Sequence, residues 1–271
     1  MAQTVLGIIG GEVRELLLPD PSMKLMEGVV WGEFDVFFTP AFWAVQAWLD
    51  SEQSKYSSYK LGTSLQEEVA ACLLGGHGIP SEVGLAAYKK VKEKGLLTKT
   101  TLMLEELISV LREPLQVGER QIQYRFWKQK SHYLCESLKA ISKGIPSCDD
   151  HKVFRNWLVD NLPGVGPKTA SWITRNWLSS NDVAIIDIHI QRAGLYAGFF
   201  EQNLSVTKNY YLMEDRFLRF ASALDIMPAM LDTLIWRQMK DFGSASHKVK
   251  LKHNDPVKQP ALFNHLHAAV C

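Results

Sequence analysis

The segment that most limits how this chain can fold is Asn161-Leu162-Pro163-Gly164-Val165-Gly166-Pro167-Lys168-Thr169-Ala170. It lies between an amphipathic stretch carrying Phe154, Trp157 and Leu158 and a second one carrying Ala170, Ile173 and Trp177. Two glycines one residue apart make the connection tight and let its backbone come close to a ligand. Proline is favoured at the first position of a helix, so Pro167 opens the second helix. The amides of that first turn have no helical partner and sit at the positive end of the helix dipole, which makes a ready anion site. A DNA phosphate is the natural anion for bare backbone, with Gly164, Val165, Gly166 and Lys168 as the expected contacts. On this segment alone, an ordinary helical corner with a glycine-rich cap and a hairpin that only grips DNA stay open as alternatives.

The rest of the chain reads as helical. Thr39-Pro40 is a cap-and-first-residue pair opening a helix through Ala41–Asp50. Ser64 and Glu67 have capping-box spacing, and Leu65, Val69, Cys72 and Leu73 follow as one apolar stripe. The Gly75–Gly78 cluster ends that helix, and Pro80 opens another running to about Lys94. Further helices are expected at about 100–112, 124–143, 150–161, 167–179, 188–199, 206–224 and 228–241. Val30–Phe38, rich in aromatic and β-branched residues, is the one candidate for a short strand or an irregular arm. No repeat or low-complexity segment interrupts the pattern, and the expected class is all-α.

Composition bounds the function loosely. With 30 basic and 29 acidic residues the formal net charge is +1, so any nucleic-acid face must come from local clusters. Arg125, Lys128, Lys130 and the run His247–Lys252 are candidates for phosphates, with a solvated surface as the plainer role. Cys72, Cys135, Cys148 and Cys271 fit neither a zinc knuckle nor an iron–sulfur cluster and read as reduced thiols. Glu12, Arg14 and Glu15 break the short apolar run at the N-terminus, so a cytoplasmic protein without a signal peptide or membrane span is expected.

A second motif joins the first. Ala184-Ile185-Ile186-Asp187-Ile188-His189 places an aspartate between apolar residues, 19 positions after Lys168. The pair resembles the signature of the HhH-GPD superfamily of base-excision DNA glycosylases, named for this hairpin, a Gly/Pro-rich loop and a downstream Asp. The resemblance runs from about Gln66 to Gly198. Lys168 stands where bifunctional members carry a nucleophilic lysine, and four scattered cysteines cannot make the cluster of the endonuclease III and adenine-mismatch branches. What remains is similarity to the 8-oxoguanine DNA glycosylase branch. The resemblance implies a two-lobed helix-hairpin-helix fold. Residues 1–60 and 201–271 would build one lobe, and 61–200 a helical barrel bearing the hairpin at about 154–179. It also implies a monomer acting on double-stranded DNA with a modified or damaged base, using no metal or organic cofactor.

The chemistry suits these residue types. Breaking an N-glycosidic bond builds positive charge on the sugar, where a nearby carboxylate acts most strongly in the transition state. Asp187, flanked by Ile186 and Ile188, is expected to be partly dehydrated. A free lysine titrates near pH ~10.4, so Lys168 needs an apolar setting, a helix N-terminus or a base before it can attack C1′. Such enzymes flip the target base into a pocket. Trp172, four residues after Lys168 on the same helical face, is a pocket candidate, as are Phe34, Phe38, Phe42 and Trp43. At Trp172 the animal 8-oxoguanine enzymes carry a smaller residue. His77 is the candidate wedge and His189 a candidate orienter of Asp187. For each of these aromatic residues core packing is the competing role. The resemblance favours 8-oxoguanine, while another base, such as a bulky modified pyrimidine in phage DNA, would use the same Lys and Asp.

Overall fold

Helix starts in this protein follow the chemistry of their caps. The computed structural model describes residues 1–51, 59–76, 78–99 and 102–245. Thr39 accepts the Phe42 amide at the head of α1 (Pro40–Asp50), and Ser64 accepts the Glu67 amide at the head of α2 (Leu65–Leu74). The expected capping box is incomplete, because the Glu67 carboxylate turns to the Thr63 amide and to Lys92 instead. There follow α3 (Ser81–Glu93), α4 (Leu104–Arg112), α5 (Trp127–Ser142) and α6 (His151–Asn161). The last four are α7 (Pro167–Leu178), α8 (Ile188–Ala197), α9 (Tyr210–Ala223) and α10 (Pro228–Ala245).

The strands are short and peripheral, so the molecule is mostly helical, but more of them form than the sequence suggested. β1 (Gln3–Ile9) and β2 (Glu12–Leu18) make an antiparallel hairpin around Gly10-Gly11, both at positive φ, as a two-residue turn requires. Gln3, Val5, Ile9 and Leu18 are buried, and Val5 and Leu18 pack with Ala41 and Val45 of α1. A Cβ on Gly7 would come within 2.7 Å of the Trp48 ring, so the strand needs glycine where α1 lies over it. The outer face carries Leu6, Ile8, Val13 and Leu17, all exposed. Both faces being apolar, the alternation that announces a strand is erased. In Val30–Phe38 only the first residue is strand, as part of β4 (Val29–Val30) paired with β3 (Lys24–Met26). The remainder is turns, ending at Phe38 with φ 71. A third hairpin, β5 (Leu115–Val117) and β6 (Arg120–Ile122), links α4 to α5.

Two main cores organise the helices. The first runs from Leu65 to Ile173 and joins α2 to α7 around Tyr124, Leu134 and Phe154. The second joins α1 with α8, α9 and α10 around Trp43, Phe217 and Phe220. α8 was expected in the 61–200 lobe, yet its buried residues Ile190, Ala193 and Ala197 belong to the second core. The changeover falls between Ile173 and Ala184, because the loop after α7 carries the chain across the seam. No helix among the described residues is long and apolar enough to cross a membrane.

Candidate active site

The hairpin between α6 and α7 is built on one strained glycine and one open one. Gly164 has φ 75, and a Cβ there would come within 2.2 Å of the Tyr133 ring of α5. Gly166 caps α7 with φ −87, accepts the Ala170 amide, and has open space where a Cβ would point. The amides of Gly164, Gly166, Lys168 and Thr169 carry no hydrogen bond among the described residues, which leaves them available to an anion. Val165 does not fit the expected contact set. Its amide donates to Leu162 O at 3.1 Å and its side chain is buried, so it closes the turn from within. Residues 159–166 line an open depression of about 400 Å³.

Lys168 and Asp187 meet across the seam of the two cores. The Lys168 Nζ lies 4.0 Å from Asp187 Oδ2, with side chains 40% and 9% exposed respectively. Asp187 is also the N-cap of α8: its Oδ1 accepts the amides of His189 at 2.8 Å and Ile190 at 3.0 Å. One oxygen is therefore held by backbone and the other is left facing the lysine. Ile186 is buried but Ile188 is exposed, so the dehydration comes from the setting of the aspartate more than from both neighbours.

The backbone leading to Asp187 is fixed by buried polar side chains that sequence reasoning missed. Ala184 N donates to Glu214 Oε1 at 3.1 Å, Ile185 N to Asp232 Oδ2 at 3.2 Å, and Ile186 N to Tyr210 Oη at 3.4 Å. Tyr210 in turn donates to Ala184 O at 2.8 Å, and burial pushes its phenol well above the usual range. Glu214 is paired with Arg155 at 2.7 Å, and Asp232 with Arg175 at 2.7 Å. The signal was present as charged residues inside apolar stripes: Glu214 beside Met213 and Phe217, Asp232 beside Leu231 and Leu234.

The other expected residues are scattered more widely. His189 does not hold Asp187 through its ring, since its Nδ1 is buried with no partner among the described residues; backbone amides do that work. Burial holds the imidazole below its ordinary pKa; Asp187 opposes this, and Arg192, Lys168 and Lys240 add to it. Trp172 is half-buried against the first core, with its ring edge beside Gly75. Phe38 and Trp43 stack on each other at 5.7 Å and are buried, so neither presents an open face. Phe42 joins them edge-on, and Phe34 packs under the N-terminal hairpin. His77 and the run His247–Lys252 lie outside the described residues. Lys130 is engaged within the fold: its Nζ donates to Leu73 O at 2.7 Å and Gly75 O at 3.3 Å, capping the end of α2. On α10, Trp236 is 38% exposed with Lys240 Nζ 4.9 Å from its ring centroid, an aromatic and cationic edge the sequence reading did not single out.

Comparison with known proteins places these motifs in a family. Residues 50–226 match the family model described as 8-oxoguanine DNA glycosylase. The 8-oxoguanine DNA glycosylase/AP lyase of Thermoplasma volcanium is 29% identical over 209 residues, which are 75% of this chain and 95% of that protein. Its counterpart in Thermoplasma acidophilum is 32% identical over 127 residues, 46% of this chain and 61% of that protein. The crystal structure of Methanocaldococcus jannaschii 8-oxoguanine glycosylase/lyase in complex with a 15mer DNA containing 8-oxoguanine matches with TM-score 0.52 at 25% identity. That match covers 74% of this chain and 89% of the other.

Proposed function

Because this chain belongs to the 8-oxoguanine DNA glycosylase family, we propose that it is a base-excision DNA glycosylase with AP lyase activity. Its substrate is 8-oxoguanine in duplex DNA, with Lys168 as nucleophile and Asp187 as the electrostatic partner. The observation that carries this reading is the Lys168 Nζ at 4.0 Å from the one Asp187 oxygen that its own helix does not use. In the deprotonated form, Lys168 attacks C1′ and forms a C–N bond as the glycosidic bond breaks. The electron pair of that bond leaves with the base, which takes up a proton. Asp187 faces the positive charge that develops on the sugar in between, where a fixed carboxylate stabilises the transition state more than the ground state. Loss of a proton from nitrogen and opening of the sugar then give an imine, from which removal of a C2′ proton expels the 3′ phosphate.

The open amides around Gly166 would hold a phosphate of the same strand, and Lys168 lies on the next residue but one. Both reacting side chains belong to one chain, so a monomer suffices. A cytoplasmic setting, close to the genome, suits this role.

Borohydride reduction in the presence of duplexes that each carry one modified base tests the whole scheme. A covalent adduct on the 8-oxoguanine duplex, absent in Lys168→Gln, is the expected result. An adduct only with a different base would replace the substrate and keep the chemistry. Base release that persists in Lys168→Gln would overturn the nucleophile.

A further inference from the structure

Lys168 stands on the first core and Asp187 on the second, and their distance depends on whatever joins α7 to the 184–187 loop. Two buried carboxylates make that join, and each is built the same way. Glu214 of α9 accepts Ser171 Oγ of α7 at 2.9 Å and the Ala184 amide at 3.1 Å. Asp232 of α10 accepts Arg175 Nη1 of α7 at 2.7 Å and the Ile185 amide at 3.2 Å. Lys168, Ser171 and Arg175 fall at i, i+3 and i+7, one stripe of one helix. Ala184 and Ile185 are consecutive residues just before Asp187. The acidic pair thus grips the nucleophile's helix with one hand and the carboxylate's loop with the other, at two successive points.

We propose that Glu214 and Asp232 are positioning residues that set the reach of Lys168 to Asp187 by clamping α7 to the loop ahead of Asp187. Neither touches the reacting atoms; both act through the elements they bind. This rests on the Lys168–Asp187 assignment made above. Burying two acid–arginine pairs contributes little net stability compared with apolar packing. The geometry they impose is what apolar residues could not supply, since only an acceptor can hold the Ile185 amide. A displacement of about 1 Å at a reacting centre costs about 100-fold in rate.

Two double variants, both lacking the Arg175 grip on α7, separate the hold on the Ile185 amide from mere packing. Arg175→Met with Asp232→Leu removes the ion pair without stranding a buried charge, and leaves the Ile185 amide unheld. Arg175→Met with Asp232→Asn also removes the pair, but the Asn carbonyl still accepts that amide. Single-turnover base release at saturating duplex DNA is the readout, alongside DNA affinity and melting temperature. The Leu variant is expected to lose about 100-fold and the Asn variant to recover at least about tenfold of that, a rescue at comparable DNA affinity. Equal rates in the two, or a wild-type rate in the Leu variant, overturn the proposal.

Should the Leu variant fail to fold, Ser171→Ala decides. It keeps Arg155 paired with Glu214 and removes the α7 link, together with the bond that Ser171 Oγ accepts from Arg155 Nη1 at 3.1 Å. Loss of the link to Glu214 predicts about a fivefold slower base release with DNA affinity unchanged; a wild-type rate overturns the clamp. Base release that depends on Lys168 but ignores these variants sinks the clamp alone. Base release indifferent to Lys168→Gln sinks the assignment beneath it.

Discussion

Lys168 and Asp187 are close neighbours with opposite surroundings. The lysine sits in the first turn of a helix, with much of its side chain in solvent and unbonded amides on either side. The aspartate is buried, spends one oxygen on capping α8, and follows three backbone amides that are each held by a buried side chain. The difference suits the two roles proposed for them. A carboxylate that answers charge on the sugar gains most by being fixed before the reaction, because nothing need reorganise as charge appears. A nucleophile that must approach C1′, form a bond and later be released needs freedom to move.

The comparison can be broken from either side. The largest effect is expected from Lys168→Gln, which should slow base release by about 10³-fold or more while duplex affinity stays within about threefold. Single-turnover kinetics with a binding titration would measure both. Next comes Asp187→Asn, because asparagine caps a helix as well as aspartate does. Base release should fall by about 10²-fold with the melting temperature almost unmoved. Asp187→Ala should add a loss of about 1 kcal/mol of stability, read as an earlier urea midpoint. Equal stability of the Asn and Ala variants would show that the fixed oxygen is not held as a cap.

The lysine side is sharpened by its two glycines. Gly164→Ala drives a methyl into Tyr133 at a positive φ and should destabilise the fold by about 1–3 kcal/mol. Gly166→Ala meets open space and a φ that any residue adopts, so stability should hold. Its methyl would crowd a bound phosphate, and duplex affinity should drop by severalfold. Calorimetry and a binding assay on the same pair of proteins distinguish the two roles.

The smallest effect concerns His189. Its folded pKa is depressed by burial, so its contribution to stability is complete above the unfolded value of about 6.5. That contribution is lost as pH falls through the lower folded value. His189→Leu should therefore flatten the decline in urea stability between neutral pH and about pH 5. A decline of unchanged steepness would assign it to the carboxylates instead.

The helices were legible because their signals are local. Thr39 and Ser64 act on amides within one turn, Pro167 acts through its own fixed φ, and all three open helices as read. The proximity of Lys168 and Asp187 was legible because a motif carried both residues. The N-terminal hairpin was not, since Leu6, Ile8, Val13 and Leu17 make its outer face as apolar as its inner one. Lys130 looked like a surface cation, yet it folds inward onto carbonyls 55 and 57 positions away. Glu214 and Asp232 stood out only as charges inside apolar stripes, and their role was hidden for the same reason: their partners on α7 and in the 184–187 loop lie 30 to 57 residues off in sequence. Phe38 and Trp43 had the right chemistry for a base pocket, but sequence does not say which aromatic faces are already covered.

The division into two cores has a consequence for the order in which this chain acquires its properties. A molecule with only the first core in place would carry the hairpin, its open amides and Lys168. It would lack the loop and the second core that bring Asp187 up to the lysine. Such a half-formed chain would keep the unbonded amides and lack the carboxylate partner of Lys168. On the proposed assignment, cleavage therefore requires both cores to be complete in the same molecule.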